Sequence, residues 1–254
     1  MEIHCVWEHN GGDSMLYAEN FPGAFTRGAN RDIAIGKMAD EVRSYLAWAG
    51  KPCPEELHPV IVQEQKSTLA ISDADSDVVF LNERQPLHLA EYDALKTLVM
   101  QSARDFQALY ESIPDKDRTC LPYRKTFYGA VPRTAREMYE HTKNVNDYYF
   151  GEIGVPADHA GTIVECRLRG FEALEGQAHY LQNAAFEGSY GEVWTLRKLM
   201  RRFLWHDRIH AKAMWRMAQR TFSASVPKVK FQNYRRRGCL IKKQQAEKNT
   251  KPGS

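Results

Sequence analysis

Two histidines, His206 and His210, stand four residues apart in the stretch Trp194–Met217. Four residues advance an α-helix by slightly more than one turn, so both rings leave the same face. That face is apolar: Leu196, Leu199, Phe203, His206, His210, Ala213 and Met217 recur at alternating spacings of three and four. Two imidazoles thus occupy positions where a helical bundle normally places aliphatic side chains. Neutral imidazole ligates zinc, nickel and iron, and rings on adjacent turns can chelate one ion. The plainer reading is a pair of core histidines bonded to buried acceptors.

A catalytic metal usually has three protein ligands and an open position. His141 fits as the third, because it falls on the inward stripe Met138, His141, Val145 and Tyr148 of an earlier helix. A central position there meets the middle of the last helix in an antiparallel bundle. His4, His9, His58, His88, His159 and His179 lie in the first module or near helix ends and fit less well. Glu137, Glu140 or Glu165 could accept an imidazole N–H. Asp207 adjoins His206 but points about 100° away, so its expected partner is Arg208 or Lys198. Tyr148 and Tyr149 could donate a proton or simply pack with satisfied hydroxyls.

The elements that must position these residues follow from pattern and punctuation. Alternation gives strands at Ile3–Glu8, Met15–Glu19 and Ala24–Arg27, separated by Asn10–Ser14 and Pro22-Gly23. Asn30 caps a helix running to about Gly50, and Pro59–Gln63 is a further strand. After Pro86 the pattern turns helical. Tyr92, Leu95, Val99, Ser102, Phe106, Leu109 and Ile113 form one seam. Thr134/Glu137 and Thr162/Glu165 form capping boxes ahead of two more, and Thr195 caps the histidine helix. The fold class expected is α+β: a small β-β-β-α-β domain (1–75), a linker (76–86) and an up-down four-helix bundle (87–225). The link Pro114–Pro132 is long and carries Tyr123, Arg124, Lys125, Phe127 and Tyr128, either bordering a pocket or crossing the surface.

Composition sets the outer limits. The 254 residues, 43% hydrophobic and 26% charged, suit a globular protein of one large or two ordinary domains. No run of roughly 18 apolar residues occurs, so no membrane span is expected. The start has neither the basic nor the apolar region of a secretory signal. Five scattered cysteines without C-x-x-C point to free thiols in the cytoplasm and away from a thiolate zinc site. The net charge of +3 conceals a basic end. Residues 226–254 hold nine Lys/Arg against one Glu, a balance of +8 that leaves −5 for the rest. That segment reads as a flexible, solubilising tail or as a contact for nucleic acid. The chain has no G-x-G-x-x-G, P-loop or G-x-S-x-G motif, no H-E-x-x-H, and no E-x-x-H pair on facing helices.

Residues 87–222 resemble the DinB/YfiT-like superfamily of bacterial helical bundles. The likeness rests on Thr134-Ala-Arg-Glu-Met-Tyr-Glu-His141, on Trp194-Thr-Leu-Arg-Lys198 and on His206-Asp-Arg-Ile-His210. It implies a divalent metal, nickel or zinc, held by His141, His206 and His210. It also implies chemistry on a low-molecular-weight thiol such as bacillithiol or mycothiol. The first module is similar to the HicB fold through Tyr17–Gly28, chiefly Phe21-Pro22-Gly23 and Gly28. That likeness implies a fold with a role in dimerisation or substrate capture. No helix-turn-helix follows it. The function expected is a metal-dependent S-transferase or hydrolase, activating a thiol or water against a small electrophilic substrate, in a homodimer. The alternative is a non-catalytic interaction or regulatory protein with a structural histidine cluster.

Overall fold

The computed structural model describes residues 1–126 and 128–222. The first part runs β1 (Glu2–His9), β2 (Ser14–Ala18), β3 (Phe25–Gly28), α1 (Arg31–Trp48) and β4 (His58–Lys66). The sheet order is β3-β2-β1-β4. β1 and β3 are antiparallel to β2, and β4 runs parallel to β1 after the crossover through α1. This is the expected β-β-β-α-β order, with each strand shifted or extended by a few residues. The turn after β1 is held by the Asn10 side-chain oxygen, which accepts from Gly12 and Asp13 amides at 3.1 and 2.9 Å. Asn30 caps α1 by accepting from the Ile33 amide.

The rest is largely helical. α2 (Leu89–Ser112) is followed by a two-residue hairpin, β5 (Lys125–Thr126) and β6 (Gly129–Ala130), then α3 (Ala135–Gly151) and α4 (Ile163–Glu175). A second hairpin, β7 (Phe186–Glu187) and β8 (Val193–Trp194), leads into α5 (Leu196–Phe222). Both capping boxes form as the sequence suggests, and the Thr195 hydroxyl accepts from the Lys198 amide at 3.1 Å. α2 and α3 each pack on both α4 and α5. The α2 seam is buried at Tyr92, Val99, Ser102, Phe106, Leu109 and Ile113. The described residues are therefore α+β, with five α-helices and a small mixed sheet among them. Among the described residues no helix is long and apolar enough to cross a membrane.

The amphipathic reading of α5 needs correction. One apolar stripe was expected, yet every side of its middle is buried, from Lys198 through Met200 and Phe203 to Arg208. The reason lies in the sheet. Successive strand residues point to opposite faces. Leu16 and Ala18 join the core around α1, while Met15 and Tyr17 join a second cluster with Phe25, Val78, Phe80 and Trp205. Helix α5 thus fills the gap between the other helices and the sheet. Four of its charges enter the interior opposite a carboxylate: Arg201 with Glu83, Arg208 and Lys212 with Glu41 of α1, Lys198 with Glu192.

Residues 76–86, the expected linker, mix buried and exposed positions. Ser76, Val78, Phe80 and Glu83 are buried, and Leu81–Arg84 form a 3-10 turn. The Pro22-Gly23 turn presses on α5: a Cβ at Gly23 would lie 2.6 Å from the Leu204 Cβ and 3.2 Å from the Trp205 amide nitrogen. Its φ of +91° is a further reason for glycine there. The basic stretch 226–254 lies outside the described residues.

Candidate metal centre

The capping box at Thr134 starts α3, and Thr195 starts α5, so the registers of both helices are set locally. Packing of α3 on α5 then brings His141 against His206 and His210. The Nε2 atoms of His141 and His206 are 3.2 Å apart. The three ring centroids form a near-equilateral triangle with sides of 5.0, 4.7 and 4.5 Å. One nitrogen from each ring lies within 4.8 Å of the others, and among the described residues this is the one group of three or more metal-ligating side chains so placed.

The donor set can be tested against the geometry of an ion. Two nitrogens each about 2.1 Å from one ion stand roughly 3.0–3.4 Å apart over octahedral to tetrahedral angles. The His141–His206 separation of 3.2 Å falls inside that range. Burial also prepares the rings as ligands. It pushes His210 down to about 3, with the His141 charge as a lesser cause, and it lowers His141. His206 falls well below the ordinary histidine value, through burial first and then through its neighbours His210, His141, Arg202 and Arg167. Neutral imidazoles with free lone pairs are the state that binds metal. This group of three histidines could hold a divalent cation.

Exposure is graded across the site. His206 is only 8% exposed, His210 is half-buried, and His141 lies at the surface. Solvent therefore reaches the triangle from the α3 side. His206 Nδ1 is buried with no hydrogen-bond partner.

Several residues expected near the histidines are engaged elsewhere. Glu137 Oε2 accepts from the Arg133 and Thr134 amides, and Glu165 Oε2 from the Thr162 amide. Both carboxylates complete helix caps. Glu140 pairs with Lys143. Asp207 pairs with neither Arg208 nor Lys198: it takes two bonds from Arg167 of α4, at 2.6 and 3.2 Å. Burial still raises its carboxyl above the ordinary aspartate value, against the pull of Arg167. Tyr148 is 38% exposed. It is the neighbouring Tyr149, buried, whose ring centroid lies 6.0 Å from that of His206.

The remaining histidines stay apart, as expected. His9 stacks on Trp7 and meets Glu64, His58 meets Glu56, and His159 meets Asp147. Arg124 pairs with Asp73, and the Tyr128 hydroxyl donates to the Asp73 carbonyl. Phe127 lies outside the described residues. Cys5, Cys53, Cys120 and Cys166 are free thiols. One neighbour of the site was missed in the sequence. Arg202 stands four residues before His206, on the same stripe, and the spacing that linked the two histidines also links it.

No protein-family model, no curated protein and no solved structure matches the chain.

Proposed function

We propose that this chain is a metal-dependent enzyme of the DinB/YfiT type, holding a divalent ion, nickel or zinc, on His141, His206 and His210. Its first module is read as HicB-like. The observation that carries the proposal is the convergence of three neutral imidazoles, two from one helix and one from its neighbour, within 4.8 Å. A bound ion would supply Lewis-acid chemistry, lowering the pKa of a small thiol or a water in the position the protein leaves open. The chain's own residues do the rest. His206 and His210 are fixed by the core around α5, so their spacing does not relax. His141, at the surface, marks the side from which thiol and electrophile would enter. Tyr149, buried, flanks His206 with its ring centroid 6.0 Å away.

A second reading has an observation of its own. The 3.2 Å contact between His141 and His206 is also the length of a hydrogen bond, with one neutral ring donating Nε2–H to the other. In that case the cluster clamps α3 to α5 in a non-catalytic interaction protein.

Metal analysis of the purified full chain separates the two. After incubation with nickel or zinc and removal of excess ion, one equivalent is expected, and His141→Ala, His206→Ala and His210→Ala should each lose it. Absence of retained metal in the wild-type protein, or full retention in all three variants, defeats the metal reading.

A further inference from the structure

Between residues 197 and 212, α5 carries several cations, and nearly all are neutralised. Arg197 pairs with Glu91, Lys198 with Glu192, Arg201 with Glu83, and Arg208 and Lys212 with Glu41. Arg202 is the exception: among the described residues no carboxylate oxygen lies within 4.0 Å of its guanidinium. Its Nη1 donates to the Ser76 carbonyl at 2.8 Å, and its Nε is buried without a partner. Asp75 and Glu192 are the acids whose charge it feels, from farther away. The guanidinium is packed among three aromatic rings, 4.9 Å from the Trp205 centroid, 5.5 Å from Trp194 and 5.7 Å from Tyr149. Water is thereby displaced from a half-buried positive charge with no counter-ion at contact. Such a charge costs stability unless something pairs with it.

The location suggests what that is. Arg202 lies one helical turn before His206 on the stripe that carries both α5 histidines, about 6 Å along the axis. Tyr149 touches both, facing Arg202 and, at 6.0 Å, His206. Exposed Tyr148 and His141 open the same side to solvent. We infer that Arg202 receives the carboxylate of a small ligand whose reactive group faces the three histidines. The planar guanidinium suits a carboxylate, which it can grip by two parallel N–H bonds. With the two residues one turn apart, a short acid bearing its reactive atom at the end away from the carboxylate is the matching probe. Arg202 is thus assigned as a specificity-determining residue, and this rests on the metal reading above.

Cobalt-loaded full-length protein tests it, with 3-mercaptopropionate and its uncharged amide as probes. The sulfur-to-cobalt absorption reports binding of each without any assay of turnover. The wild-type protein is expected to bind the acid at least about tenfold tighter than the amide, the scale of one charge-assisted contact. Arg202→Gln should bring that ratio near one, with an unchanged cobalt spectrum and circular dichroism showing that the variant is folded and loaded. Arg202→Lys, which keeps the charge without the fork, gives the same comparison with a smaller fall should the glutamine variant not fold. A wild-type ratio near one, or a ratio untouched by either substitution, overturns the role of Arg202 and leaves the histidine site standing. Failure of the wild-type protein to hold cobalt overturns the metal reading and this inference with it.

Discussion

Asp207 follows His206 directly, yet its carboxylate turns to Arg167 on α4 and takes two hydrogen bonds there, with both side chains fully buried. Consecutive helix residues diverge by about 100°. A single turn of α5 therefore presents a histidine to α3 and an ion pair to α4. Arg167 is fixed further by the Phe203 ring, 4.1 Å from its guanidinium carbon. The pair anchors the helix that carries two of the three histidines, without joining their chemistry.

Removing one partner of this pair is the costly change. Asp207→Ala should lower unfolding stability by about 3–5 kcal/mol, because it strands a buried guanidinium. The double variant Asp207→Leu with Arg167→Met should recover most of that loss, since no charge is then buried alone. Urea unfolding measures both. A single variant within about 1 kcal/mol of the parent would show that water reaches Arg167.

Glu8 predicts a dependence on pH. It is fully buried on β1, with Oε2 accepting from Tyr17 and Ser76 hydroxyls and Oε1 without a partner. Burial raises its pKa from 4.5, outweighing those two bonds. The folded state then holds this proton to higher pH than the unfolded state does. Below 4.5 the penalty is absent; as pH rises through the folded pKa it develops in full. Glu8→Gln should therefore be more stable than the parent at pH 7, with the advantage vanishing below pH 4.5. Denaturant midpoints for both proteins across pH 4–8 give the difference curve. A flat curve would mean that the carboxylate is solvated in the folded state.

Gly23 joins the sheet to the histidine helix. Gly23→Ala introduces a left-handed alanine, costing about 1–2 kcal/mol, and forces a methyl against Leu204, costing about 1–3 kcal/mol more. Thermal unfolding should show a loss of about 2–5 kcal/mol. Because the contact falls two residues before His206, nickel affinity of the folded variant should weaken as well. Unchanged affinity beside lowered stability would show that the histidine geometry does not depend on this turn.

Much of the architecture was legible because its signals are local. Asn30, Thr134, Thr162 and Thr195 cap helices through bonds to amides three positions away, and such bonds need no distant partner. The four-residue step from His206 to His210 fixes the shared side of those rings for the same reason. The stripe expected on α3 needs correction: of Met138, His141, Val145 and Tyr148 only Met138 is buried, because Thr142, Asn146 and Tyr149 take the core side and leave His141 at the edge of the contact with α5.

What the chain alone could not decide was which surface each element would meet. The period of α5 indicated one apolar face, but the sheet and the segment after it cover Arg201 and Trp205, and α1 covers Arg208. Segment 76–86 was expected as a linker, and the fold has it give Glu83 to Arg201 of α5. Asp207 had two cations nearby in sequence and paired with Arg167, 40 residues away. Of two adjacent tyrosines, packing turned Tyr149 inward toward His206 and left Tyr148 at the surface. Caps and periods are read from neighbours within a turn or two. The partner of a buried charge is set by the direction in which whole elements pack, and only the tertiary fold contains that direction.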